Sequence, residues 1–197
     1  VHTRSSVVVV GLGVALQVAS LGEKAAAEPP KSNPAATRLI SSLEGVYKRQ
    51  FKSGLVTGDG RPDEVVAAED VVELVRHDDQ SLYFRAQLQF YNGHSCGVYG
   101  IARYEPANGG AFVYRAREPA VAGSPACTLS IAPTATHVVL SDAPNGTPTC
   151  QDFCGARGSL RDYRIERARK RTIRYLPRLK ASRQYQEAVA EYGTGAP

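Results

Sequence analysis

The chain has no run of about 20 apolar residues, no paired CxxC knuckles and no internal repeat, and it contains neither methionine nor tryptophan. Its longest apolar run, residues 7–21, is broken only by glycine, glutamine and serine. That length is short for a membrane span and leaves an uncleaved anchor only as the alternative. No cysteine stands near residue 27, which argues against a lipoprotein anchor. The text Gly11-Leu12-Gly13 follows a valine run, but Leu16 takes the place of the third glycine that a dinucleotide-binding turn needs. No nucleic-acid-binding motif is present.

What is present begins with an export signal. Arg4 precedes the apolar run, and Ala25-Ala26-Ala27 supplies the small residues that signal peptidase requires, so residues 1–27 read as a cleavable leader cut before Glu28. The expected location is periplasmic or secreted. Export gives the four cysteines their meaning: Cys96, Cys127, Cys150 and Cys154 are an even set bound for an oxidising compartment. Two disulfides are expected, with three connectivities open. A zinc site is the rival reading, and the long irregular gaps disfavour it.

Composition is that of a folded domain, 43% hydrophobic and 22% charged. Residues 28–42 read as a flexible linker and residues 43–166 as one β domain. Residues 81–91 alternate strictly, with Leu82, Phe84, Ala86, Leu88 and Phe90 on one face. Asn92-Gly93 supplies the residues of a tight hairpin turn, and Cys96, Val98, Gly100 and Ala102 share a face of the returning strand. Further strands are expected near 43–51, 69–76, 111–117, 127–132, 136–142 and 158–166. Eight strands joined by short turns predict a mainly β fold, an antiparallel up-and-down barrel, with a two-sheet sandwich as the alternative. In such a meander the even strands begin at one end, so all four cysteines should gather there. Residues 167–197 read as a basic helical extension, because Ala181, Tyr185, Ala188 and Tyr192 fall on a helical stripe between Pro177 and Gly193.

No catalytic constellation is evident, and a non-enzymatic protein is expected, without metal or cofactor. His94 and Cys96 would form a nucleophile pair only if the thiol were free. His77 and His137 have no metal-ligand spacing beyond Asp78-Asp79. The loop Cys154-Gly155-Ala156-Arg157-Gly158-Ser159 is the most distinctive local text, a stapled corner or a binding loop. His94, Arg157 and Ser159 are therefore the candidate binding residues.

Charge is segregated along the chain. Residues 59–79 carry eight acids against Arg61 and Arg76, and residues 161–183 carry ten bases against Asp162 and Glu166. The acidic stretch suits steering of a cationic partner. The basic one, with Arg167, Arg169, Lys170, Arg171 and Arg174 at its centre, suits anionic lipid or cell-wall polymer. Nucleic acid is disfavoured by the exported address.

The spacing Gly93-His94-x-Cys96, then Cys127-x-Leu129, then Cys150-x3-Cys154-Gly155-Ala156-Arg157 resembles a group of small exported proteobacterial proteins. With the eight-strand meander, residues 43–166 also look like the periplasmic inhibitors of c-type lysozyme. That resemblance implies a small antiparallel barrel whose loop, bearing serine and a basic residue, enters the lysozyme cleft. The expected function is a periplasmic binding or inhibitor protein acting on a protein partner, such as a lysozyme-like enzyme. The alternative is an envelope-associated module held by its basic segment.

Overall fold

The computed structural model describes residues 33–58, 64–143 and 145–194. The leader, the connector up to residue 32 and the charged residues Asp59, Arg61 and Asp63 lie outside the described residues. So does Pro144 of the Pro144-Asn145-Gly146 turn.

The described chain opens with a helix where a linker is expected. In α1 (Pro34–Leu43) the Asn33 side chain accepts the N–H groups of Ala35 and Ala36, and proline occupies the first turn, where its missing N–H costs nothing. Ala36, Ile40 and Leu43 recur at helical spacing and are fully buried. Ile40 and Leu43 belong to the core inside the barrel, so α1 plugs one end of it. The Tyr47 hydroxyl donates to Leu43 O at 2.7 Å, and burial pushes its pKa up to about 12. Residues 34–42 are thus part of the domain, held by apolar burial worth about 1.5–3 kcal/mol for each large side chain.

Nine strands follow: β1 (Gly45–Leu55), β2 (Glu64–Arg76), β3 (Ser81–Gln89), β4 (Ser95–Glu105), β5 (Ala111–Arg115), β6 (Thr128–Pro133), β7 (His137–Ser141), β8 (Tyr163–Glu166) and β9 (Lys170–Arg171). They form one antiparallel sheet in the order β8-β7-β6-β5-β4-β3-β2-β1-β9. The expected fold is therefore present as a nearly closed barrel, with one strand more than expected. That strand is the closing device. After β8 pairs with β7, the chain turns through residues 167–169, and β9 pairs with Val46 and Tyr47 of β1. The two open edges of the meander are joined by one continuous segment, which shortens the edge available for unwanted pairing.

Alternation along the strands builds the core. Tyr47, Val72, Leu74, Phe84, Leu88, Phe112, Leu129, Ile131 and Leu140 all face inward. Gly100 leaves room for the Tyr114 ring, which a Cβ at that position would meet at 2.4 Å. The hairpin between β3 and β4 closes over three residues, and Asn92 (φ 60°) and Gly93 (φ 71°) both adopt the left-handed conformation that this text favours.

A second apolar layer lies outside the barrel. The segment expected as one helix forms two, α2 (Leu176–Lys180) and α3 (Arg183–Gly193), the latter capped by the Ser182 hydroxyl on the Tyr185 N–H. Pro177 belongs to α2, so it does not start the helix that carries the stripe. Ile173, Leu179, Tyr185 and Ala188 pack on Val46, Val75, Tyr83 and Ile101. Beneath this layer Glu73, fully buried, accepts from the Arg85 guanidinium and the Tyr175 hydroxyl. The basic C-terminal segment is therefore no loose extension.

Candidate functional site

The even strands begin at the barrel end opposite α1, and the cysteines gather there. Cys96 bonds Cys154, and Cys127 bonds Cys150, which settles the open connectivity. Both bridges fit an oxidising compartment. All four cysteines are thereby oxidised, and Cys96 cannot act as a nucleophile. Asp142 and Thr149 brace this end: the Cys150 N–H donates to the buried Asp142 carboxylate at 3.1 Å, and the Thr149 hydroxyl accepts the Thr128 N–H at 2.9 Å.

The bridge from Cys96 carries the Gly155–Ser159 text onto the hairpin. The Gly155 N–H donates to Ser95 O at 2.8 Å. Gly155 lies so close to His94 that a Cβ would stand 2.8 Å from Nδ1, and a Cβ on Gly158 would stand 2.8 Å from the Cys96 sulfur. The glycines are needed for close approach. Arg157, exposed, places its guanidinium 5.7 Å from the centroid of the Tyr91 ring. His94 and Arg157 are thus brought together around Gly155. Ser159 is engaged otherwise, its hydroxyl accepting the Arg161 N–H at 3.0 Å in a local turn.

Tyr91 is the residue that sequence reasoning misses. It precedes Asn92-Gly93 at the hairpin tip, 41% exposed, and its ring lies over Gly54, where a Cβ would meet it at 2.5 Å. The pairing of β2 with β3 stops at Val71 opposite Gln87, whereas β1 and β2 stay paired out to Leu55 opposite Glu64. A two-stranded ribbon therefore projects past the barrel and leans on the hairpin. Ser53 Oγ donates to Phe90 O at 3.2 Å, and the Val56 N–H donates to Asn92 Oδ1 at 3.0 Å. Val56 and Val65 on this ribbon are among the most exposed large apolar residues. A depression of about 250 Å³ lies between the ribbon and Gln89, Phe90 and Gly93.

Ribbon and barrel are tied at Asp70, which is fully buried. Its Oδ2 accepts from Arg49 Nε and Nη2 at 3.0 and 2.6 Å and from the Tyr163 hydroxyl at 2.7 Å, while Oδ1 accepts the Gln89 N–H at 2.7 Å. Burial and the Asp70 carboxylate push the Tyr163 hydroxyl well above the ordinary tyrosine range. Such contacts engage four of the eight acids of residues 59–79. Asp70 and Glu73 are internal, Glu69 pairs with Lys48 at 2.9 Å, and Asp79 pairs with Arg76 at 3.3 Å.

The basic residues lie at the other end. Arg167 donates to Thr134 O at 3.1 Å, Lys170 Nζ to Ser42 O at 2.8 Å, and Arg171 to Ala168 O and Lys170 O. Arg169 pairs with Glu166 at 3.0 Å, and Arg174 is exposed. The two groups of candidate residues therefore occupy opposite poles. Among the described residues no cluster of three or more His, Cys, Asp or Glu is placed to hold a metal, and no helix is long and apolar enough to cross a membrane. Comparison with known proteins finds no matching family model, no matching curated relative and no matching solved structure.

Proposed function

We propose that this chain is a non-enzymatic binding or inhibitor protein of the periplasm or the secreted space, and that its stapled barrel end docks on a protein partner. The observation that carries this reading is the exposed Tyr91 ring with Arg157 beside it, on a platform held by the Cys96–Cys154 bridge. Tyrosine and arginine are the residue types that dominate interface energetics when a rigid scaffold presents them. The exposed Val56 and Val65 extend the same end with apolar surface. The leader and the oxidised cysteines support the exported address.

A lysozyme-like enzyme is the partner we favour, on the resemblance of barrel architecture. The test is inhibition of c-type lysozyme by the purified protein at micromolar concentration, repeated with Arg157→Ala and Tyr91→Ala. Inhibition that each substitution relieves is expected. Full lysozyme activity in the presence of the unsubstituted protein overturns the lysozyme version.

A further inference from the structure

We propose that the end of the barrel plugged by α1 is a docking surface for a bilayer rich in anionic phospholipid, with Lys170, Arg171 and Arg174 as its principal contacts. This surface is separate from the stapled end and does not depend on what that end binds.

The first observation is how these cations are spent. Four bases elsewhere in the fold meet carboxylates: Lys48 with Glu69, Arg49 with Asp70, Arg85 with Glu73 and Arg115 with Glu105. Between residues 167 and 182 there is no carboxylate in the sequence. Among the described residues Lys170 and Arg171 reach only carbonyl oxygens, and Arg174 is exposed without a carboxylate partner. Carbonyl dipoles orient these groups and leave their charge uncompensated, so an outside anion would supply what the fold does not.

The second is shape. Beside these cations is a groove of about 420 Å³ formed by Gly45, Lys170, Arg171, Thr172, Ile173 and Leu176. Its one carboxylate, Glu44, is exposed at the rim and accepts the Arg76 backbone N–H at 3.3 Å, leaving the lining with two cations against one anion. Cations and a hydroxyl around an apolar floor suit a phosphate headgroup with its first methylenes better than a bare ion. Gly45, with φ at 154°, keeps the groove open, since a Cβ there would meet the Lys170 side chain at 2.7 Å.

The third is where the chain enters. Asn33 caps α1, and Thr37 Oγ1 donates to Asp79 O at the β2–β3 turn, so the helix begins at this same end. Whatever precedes residue 33 leaves from the pole that carries the basic groove. Charge complementarity and the apolar floor of the groove thus favour a membrane surface over a soluble protein partner.

Residues 33–194 have their own core, so the test uses the chain beginning at Glu28, which removes the apolar run as a confounding anchor. Removing 161–197 would be a poor test, because it deletes β8 and β9 and opens the barrel. The probe is sedimentation with vesicles of about one-third phosphatidylglycerol in phosphatidylcholine, against pure phosphatidylcholine. We expect binding to the anionic vesicles that half-molar salt releases. The triple variant Lys170→Gln, Arg171→Gln, Arg174→Gln should bind about 100-fold more weakly, from about five-fold for each base near an anionic surface. Lys52→Gln, Arg117→Gln, Arg161→Gln makes the same change in net charge around the stapled end and should keep most of the binding. The charge-conserving triple Lys170→Arg, Arg171→Lys, Arg174→Lys should bind like the unsubstituted chain. Three results overturn the proposal: no sedimentation with anionic vesicles at low salt, equal loss in both glutamine triples, or capture by long-chain polyphosphate with the vesicles ignored.

Discussion

The Tyr163 hydroxyl donates to Oδ2 of Asp70 at 2.7 Å, joining β8 to β2 across 93 residues of sequence and across the seam where the barrel closes. The same carboxylate takes the Gln89 N–H just where β3 parts from β2. One buried side chain therefore ends one strand pairing, holds Arg49 and fastens the seam. Asp70→Ala strands the donors of Arg49, Tyr163 and Gln89, and it should cost roughly 3 kcal/mol of stability, reduced from the fully buried case because Arg49 keeps access to water. Tyr163→Phe removes one donor to a carboxylate that keeps three others, and about 1–2 kcal/mol is expected. Urea unfolding of the two variants checks the order: Asp70→Ala must be the more damaging.

The two disulfides differ in what they constrain. Cys96–Cys154 closes a separation of 58 residues, and Cys127–Cys150 a nested 23. Chain entropy gives about 4 kcal/mol for the longer loop and about 3 kcal/mol for the shorter. The Cys96→Ser, Cys154→Ser pair should therefore be less stable than the Cys127→Ser, Cys150→Ser pair in thermal unfolding. Gly158→Ala tests the same corner without breaking a bond. Its Cβ would sit 2.8 Å from the Cys96 sulfur and 3.1 Å from Cys154 Cβ, neither free to retreat, and about 1–3 kcal/mol of overpacking cost is expected.

The strands were legible because their period is short and their punctuation local. Leu82 to Phe90 alternates through β3, and the Asn92-Gly93 turn that follows needs only its own residues. The gathering of the cysteines followed from strand parity alone. What escaped depends on distant packing. Tyr83 sits on the polar-looking face of β3 and is buried all the same, because Tyr185 and Ala188 arrive from the far end of the chain to cover it. Asp70 and Glu73 look like surface acids until Arg49 and Arg85, on neighbouring strands, are set opposite them. Two residues of β9 carry no pattern; barrel closure makes them a strand. In α1 the signals are present in the text, with Asn33 as cap, Pro34 in the first turn, and Ala36, Ile40 and Leu43 at helical spacing. The prolines just before it make the whole stretch read as a connector. At the site, His94 and Arg157 stand out through their neighbouring cysteines and glycines. Tyr91 does not, since its role depends on the ribbon that brings Gly54 beneath it.

His77 gives the fold a pH dependence of definite sign. Its ring meets the Tyr192 ring edge-on at 5.2 Å, and burial lowers its pKa, with Asp78 opposing the shift and Lys180 adding to it. The unfolded chain then binds a proton more readily than the folded one. Stability should be full above the ordinary histidine pKa, near 6.5, and should decline as pH falls from there through the lowered value. The melting temperature is expected to drop between neutral pH and about pH 5, before the carboxylates titrate. His77→Gln should flatten that interval. An unchanged slope in the variant would assign the dependence to another group.

At the stapled end, Arg157 lies over the Tyr91 ring and both are exposed, so their substitutions should separate recognition from folding. Arg157→Ala should leave stability within about 0.5 kcal/mol, since the side chain is exposed. Tyr91→Ala uncovers Gly54 and should cost somewhat more. In binding to the partner each should lose about 2 kcal/mol or more, as for central aromatic and arginine anchors. The two losses should not add. The ring fixes the guanidinium by a contact of about 0.5–1 kcal/mol, so once Tyr91 is gone Arg157 is already misplaced, and the double variant should be better than the sum by about that amount. Arg157→Lys keeps the charge but loses the planar guanidinium and should recover only part of the affinity. A double-mutant cycle measured with the bound partner decides the matter. Strict additivity would mean that the approach of Arg157 to the Tyr91 ring in the free protein does not persist in the complex.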